Sequence, residues 1–212
     1  MKKTLLLALP LLLGVSAGWA QEIQYKPDFE VTLVGGYQFG GSMDETVKHE
    51  GVSILGESLG IKGSEFAGVI VNYRLGPELL LELSYDRQFT TLDYHDANGV
   101  NVTKLADLNV DVYHAGLMYN WASGEVQPYV GGTIGMTSMT PNQDLSSVRR
   151  FSVAPVLGLK VFSSQHFAFR FQTRLLVTSM PKDQHYFYDG YQHTLNSYMI
   201  QIHFMLGVTI GL

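Results

Sequence analysis

The stretch that most limits what this chain can become is its last sixteen residues, SYMIQIHFMLGVTIGL at 197–212. Every second residue from Tyr198 is apolar: Tyr198, Ile200, Ile202, Phe204, Leu206, Val208, Ile210 and Leu212. The residues between them are Met199, Gln201, His203, Met205, Gly207, Thr209 and Gly211. An unbroken apolar row at period 2 describes a β-strand between two unlike environments, because a helix would scatter those positions around its axis. The row is too long for an ordinary sandwich strand of about five or six residues. It suits a tilted strand that crosses a bilayer, which needs roughly 9–11 residues. The chain is therefore read as a membrane barrel closed by this strand.

The other end reads as an export signal. MKKTLLLALPLLLGVSAGWAQ has Lys2 and Lys3, an apolar run over 5–13, and Gly18 and Ala20 as the small residues before a cut after Ala20. The apolar run is too short to span a membrane and contains Pro10. Residues 1–20 are expected to be a signal peptide and residues 21–212 a single outer-membrane barrel. Lys2 and Lys3 leave with the signal and no acid does, so the net charge moves from −5 to −7. An acidic chain without a basic run argues against nucleic acid as a main partner. There is no cysteine, which rules out disulfides, thiol catalysis, thiolate metal sites and a lipidated cysteine. No later window holds the roughly 18 consecutive apolar residues of a spanning helix. Alternating barrel strands leave only a weak hydropathy signal, so this does not count against a membrane.

Further alternating segments precede the last one. Residues 29–39 set Phe29, Val31, Leu33, Gly35, Tyr37 and Phe39 against Glu30, Thr32 and Gln38. Residues 65–75 set Ala67, Val69, Val71, Tyr73 and Leu75 against Asn72 and Arg74, and Gly76-Pro77 then turns the chain. Residues 78–89 set Leu79, Leu81, Leu83 and Tyr85 against Glu78, Glu82, Ser84 and Asp86. A sixth strand sets Phe151, Val153, Pro155, Leu157, Leu159 and Val161 against Ser152, Gly158 and Lys160, and Pro155 must lose a ladder hydrogen bond unless a bulge sits there. A seventh, 167–177, sets a phenylalanine-rich row against Arg170, Gln172 and Arg174. The fourth and fifth, at 108–121 and 126–139, keep an open register, because Val110 and Val112 compete with Tyr113, Leu117 and Tyr119, and Gly131, Gly132 and Gly135 dilute the pattern. The connections between the eight run long (40–64), short, long (91–107), short (122–125), medium (140–150), short (163–165), long (180–196). Outer-membrane barrels put short turns in the periplasm and longer loops outside, and an even strand count returns both termini to the periplasm. The fold expected is all-β, an eight-stranded antiparallel up-and-down transmembrane β-barrel in the outer membrane of a Gram-negative cell.

The segment GEVQPYVGGTIGMT at 124–137, VYHAGLMYNW before it and the alternating last strand resemble the small eight-stranded outer-membrane barrels of the OmpA transmembrane domain, OmpX and OmpW type. That resemblance covers nearly all of the mature chain. It implies insertion by the barrel-assembly machinery, although such chains usually end in an aromatic residue and this one ends in Leu212.

The lumen of an eight-stranded barrel is filled by side chains, so the inward charges must pair. The expected network is Glu30, Arg74, Glu82, Asp86, Lys160, Arg170, Arg174 and His203, with Glu82 and Asp86 partnered by some of Arg170, Arg174 and Lys160. A structural plug is the first reading of these charges and a gated or narrow ion path the sharper one. The function expected is an envelope or surface-interaction role through the outer loops, with a narrow channel for small or apolar solutes as the alternative and a lipid A-modifying enzyme third. Enzymes of the lipid A deacylase kind place a His two residues before a Ser, whereas His203 precedes Met205 and His114 precedes Gly116. No catalysis, cofactor or metal is expected. Outside, Lys104, Arg149, Arg150 and Lys182 are candidates for lipopolysaccharide phosphates, and His185, Tyr186, Tyr188, Tyr191 and His193 for contact with an unknown surface ligand. His185 and His193 lack a carboxylate at metal-binding spacing. Gly35-Gly36 and Gly131-Gly132 precede no helix, so close packing or curvature is expected rather than a phosphate loop.

Overall fold

The computed structural model describes residues 27–49, 52–95, 102–122, 124–142, 147–180, 186–188, 191–195 and 198–212. The expected signal peptide, Lys182 and His185 lie outside the described residues. The strands are β1 (Phe29–Phe39), β2 (Ser42–His49), β3 (Val52–Ile61), β4 (Ser64–Arg74), β5 (Leu79–His95) and β6 (Val102–Asn120), then β7 (Val126–Pro141), β8 (Val148–Ser164), β9 (Phe167–Ser179), β10 (Tyr186–Tyr188), β11 (Tyr191–Leu195) and β12 (Tyr198–Gly211).

Eight of these, β1, β4, β5, β6, β7, β8, β9 and β12, pair antiparallel in that order, and β12 returns to β1. The closing seam runs from Glu30 opposite Gly211 to Phe39 opposite Ile202. At the end that carries the termini, the Leu212 amide donates to the Phe29 carbonyl at 2.8 Å.

Closure follows from the alternation. The apolar rows face out, with Leu33, Tyr73, Leu83, Leu117, Ile134, Leu157, Phe171 and Leu206 all exposed, while the rows between them are buried. Such an exterior belongs in hydrocarbon, where a peptide group finds no water, so every strand needs a partner on both sides and only a ring supplies one. The ring also settles the two open registers. In β6, Val110, Val112, His114 and Met118 turn inward and Tyr113, Leu117 and Tyr119 outward; in β7, Gln127, Tyr129 and Thr133 turn inward.

Two expected loops are not loops. Residues 40–64 contain the β2–β3 hairpin and residues 180–196 contain β10 and β11. β5 and β6 run on past the expected limits to His95 and Val102, leaving backbone groups that β3 satisfies along Ser58–Ile61. β2 then joins β3, and β11 joins β2. Polar runs of this kind hide strands from the period-2 signal, because neither face is set against an apolar phase. These added strands mark one end of the barrel, the hairpin end.

Pro155 does not sit on a bulge. Val153 faces Val177 and Val156 faces Arg174 on β9 with the register unchanged, so the ladder simply lacks rungs at Ala154 and Pro155.

The paired glycines differ within each pair. A Cβ at Gly131 would lie 2.2 Å from the Leu117 carbonyl oxygen, and one at Gly36 would lie 2.0 Å from that of Phe204, whereas Gly132 has nothing within 4 Å and Gly35 only ordinary contact. Gly36 and Gly131 therefore let neighbouring backbones bend together, which curves the wall. Gly131→Ala is expected to destabilise the barrel by about 1–3 kcal/mol, and Gly132→Ala to leave it unchanged. Urea midpoints in detergent micelles check the contrast, and equal midpoints would refute it.

Candidate functional site

Inside the ring, side chains two residues apart on one strand lie about 6.6 Å apart along it. β9 thus stacks Arg170, Gln172 and Arg174 in a column, and the acids come from the opposite wall, Glu82 and Asp86 on β5. Nearest the termini, Lys160 on β8 is hydrogen-bonded to Glu30 on β1. Arg74 approaches the other oxygen of Glu30 at 3.9 Å and donates from Nε to the Pro27 carbonyl at 3.0 Å.

One level further in, Arg170 gathers four strands. It donates to Glu82, to Asn72 Oδ1 at 2.7 Å, to the Tyr129 hydroxyl at 2.8 Å and to Gln172 Oε1 at 2.6 Å. Asn72 Nδ2 completes the set by donating to Glu82 at 3.1 Å. The Arg170 guanidinium also lies 4.9 Å from the Tyr129 ring centre, close enough for a cation–π contact. Tyr129 can occupy this place because Gly158 faces it; a Cβ there would come within 2.2 Å of the ring.

Above this, Arg174 donates to Asp86 Oδ2 at 2.7 Å and to His203 Nδ1 at 2.8 Å. The imidazole accepts there, so its proton sits on Nε2. His114 bridges two hydroxyls, Thr133 at 2.7 Å and Ser152 at 2.8 Å, and Thr137 donates to Ser152 at 3.0 Å. Toward the hairpin end the lumen turns apolar, filled by Ile61, Leu108, Val110, Val112, Met139, Ala154, Leu176 and Met199. A cavity of about 180 Å³ adjoins this cluster, lined by Ile61, Leu92, Leu108, Met139, Pro141, Val148 and Met180.

Seven residues of the expected lumen network are buried inside the ring and Arg74 is half-buried at its terminal end; they form three groups: Glu30, Arg74 and Lys160; Glu82 and Arg170; Asp86, Arg174 and His203. Lys160 joins Glu30, and neither Glu82 nor Asp86 takes it. Asn72 and Gln172 were legible on the polar rows, whereas Tyr129, His114 and Thr133 stand on the two strands whose register the sequence leaves open. No group of three or more His, Asp or Glu among the described residues could hold a metal ion.

The outer cations separate. Lys104 is exposed, 2.6 Å from Asp107. Arg149 is exposed on the outward row of β8. Arg150 is half-buried: the zigzag puts it on the inward row with Ser152, and its Nε is buried. Of the aromatic group, Tyr186 pairs with His193 and Tyr188 with Tyr191 in the backbone ladder of β10 and β11.

The family model for the outer membrane protein beta-barrel domain matches residues 7–209. The chain belongs to the outer-membrane β-barrel family. No curated protein matches it by sequence. Among solved structures it is similar to the outer membrane protein OprG of Pseudomonas aeruginosa, at 16% identity over 90% of this chain and 99% of that one, with a TM-score of 0.63. Neisserial surface protein A is similar at 12% identity over 87% and 97%, TM-score 0.54. The outer membrane protein AlkL is similar at 12% identity over 93% and 96%, TM-score 0.54. At these identities the likeness is one of fold, a closed eight-stranded barrel of the outer membrane.

Breaking one buried partner strands the other's charge. Arg170→Met is expected to cost about 3–5 kcal/mol, and Arg170→Met combined with Glu82→Leu to recover most of that loss. Urea unfolding followed by Trp121 fluorescence reads both; a double variant as unstable as the single one would mean the pairing is not what matters there.

Proposed function

We propose that this protein is a sealed surface barrel of the Gram-negative outer membrane, with its termini in the periplasm, acting through its lipid contacts and its hairpin end rather than by conduction or catalysis. The observation that carries the reading is the succession of buried ion pairs Glu30–Lys160, Glu82–Arg170 and Asp86–Arg174 across the lumen. A permeating ion would have to displace charges that already satisfy one another, and each unpaired ion left behind costs several kcal/mol. The orientation rests on the short connections at the terminal end, for which residues 75–78, 121–125 and 165–166 suffice, against the long excursions at the other. Outer-membrane lipid and lipopolysaccharide are then the standing partners, with the barrel-assembly machinery during insertion.

Catalysis is disfavoured by the environment of the Ser152–His114 contact. His114 meets Thr133 on its other nitrogen, where a carboxylate would orient a base, and Ser152 is fully buried. A second reading has its own observation, the apolar cavity beside Met139 and Met180, which favours uptake or capture of a small apolar solute.

Purified protein in planar bilayers at neutral pH is expected to show no conductance above the lipid background. A reproducible single-channel step would overturn the sealed reading, and saturable binding of an apolar fluorophore, lost on Met139→Gln, would move the function to the second one.

A further inference from the structure

On the outward face of β5 and β6 the apolar wall ends in a stacked aromatic pair, Tyr85 and Tyr113, with ring centres 4.9 Å apart and 29° between planes. Toward the hairpin end, Arg87 stands opposite Asp111. Arg87 donates to it from Nε at 2.6 Å and Nη2 at 2.9 Å, and the Tyr85 hydroxyl donates to the same carboxylate at 2.9 Å. Charge on the outer face of a membrane barrel is costly at mid-depth and nearly free at the interface, so this pair marks the edge of the hydrocarbon.

Beyond it lies a cleft of about 350 Å³ in the same outer wall. Phe89, Thr91, Asp107 and Asn109 line it from β5 and β6, Lys62 from one side and Asn142 from the other. Asn142 is held there, its backbone amide donating to the Asp107 carbonyl at 2.9 Å and its side chain accepting from Asn109 at 3.1 Å. Lys104 stands at the rim on Asp107. Arg87 uses two of its five N–H donors on Asp111 and its side chain remains 44% exposed.

We infer that this cleft seats the phosphorylated sugar headgroup of an outer-leaflet glycolipid, and this rests on the proposed orientation, with the hairpin end outside. Lys62, Lys104 and Arg87 meet phosphate, the cations best suited to it at an interface. Asn109, Asn142 and Thr91 offer both donors and acceptors to sugar hydroxyls and amides. Phe89, 65% exposed, and the tyrosine pair below continue into the apolar wall where acyl chains run. Arg87 and Lys104 are each held by a carboxylate, Asp111 and Asp107, and Asp93 stands opposite Lys104, so three cations and three acids leave no net charge, which is weak for a freely diffusing anion. A lipid that the wall already holds needs no more.

The test uses full-length folded protein in nanodiscs of phosphatidylcholine containing, in turn, bisphosphorylated lipid A and the same lipid A with both phosphates removed, with retained lipid read by native mass spectrometry. Bisphosphorylated lipid A is expected to be retained at least about tenfold better, and Lys62→Glu with Lys104→Glu to abolish that preference. Both lysines are exposed, so the heat-dependent gel shift should persist; if that variant fails to fold, Asn109→Ala is expected to lower retention by itself. Equal retention of the two lipids, or unaltered preference in the folded variants, overturns the inference. Competition by soluble glucosamine 1-phosphate as strong as by the lipid overturns it too, since it would mean a free-anion site. An epitope inserted beside His166 reports orientation separately: if antibody reaches it on intact cells, the orientation has failed whatever the lipid result.

Discussion

A peptide group in hydrocarbon has no water to bond, and this requirement governs the molecule. Every strand whose outward row is apolar must find a neighbour on each edge, and the last edge can be satisfied only by the first. The β1–β12 seam, from Glu30 and Gly211 to Phe39 and Ile202, meets that condition. Glycines such as Gly36 and Gly131 let the wall bend enough to close. Pro155 is tolerated because it gives up rungs to β9 while keeping its place opposite Gly132 of β7.

Closure then creates the second condition. A ring of eight strands leaves no room for bulk water, so the inward rows must satisfy one another. The charges do so in tiers, while the side-chain amides of Gln38 and Gln201 are buried without a hydrogen-bond partner among the described residues. Charge concentrates near the termini, where Arg170 ties Glu82, Asn72, Tyr129 and Gln172 into one set. Asp86, Arg174, the imidazoles and hydroxyls occupy the middle, and aliphatic side chains with Gln38, Gln88 and Gln201 fill the hairpin end. A lumen charged at one end and apolar at the other is a poor path for ions from either side.

The barrel is shared with proteins at 16% identity or less, so it carries little information about role. What distinguishes this chain lies in its sites: the pairing inside the lumen, the apolar cavity beside Met139 and Met180, and the polar cleft in the outer wall. The first bears on conduction, the second on small apolar ligands, and the third on the membrane itself.

Much of this was legible because alternation is a local property. A strand with one face in lipid repeats its contrast every two residues, so Phe29–Phe39 and the row from Tyr198 to Leu212 announce themselves without any partner. The inward position of Glu30, Glu82, Asp86, Lys160, Arg170, Arg174 and His203 followed from the same zigzag. β2, β3, β10 and β11 read as loops because their residues carry no period-2 contrast, and Tyr129 and His114 went unseen because valines on the inward row of β6 and glycines in β7 blur the contrast between lumen and lipid. Partner choice was beyond the sequence altogether. Lys160 meets Glu30 across 130 residues of chain, and Arg170 meets Glu82 across 88. The alternating residues alone determined a membrane-spanning barrel with a polar interior; which charge neutralises which was decided only when closure and strand stagger brought opposite walls together.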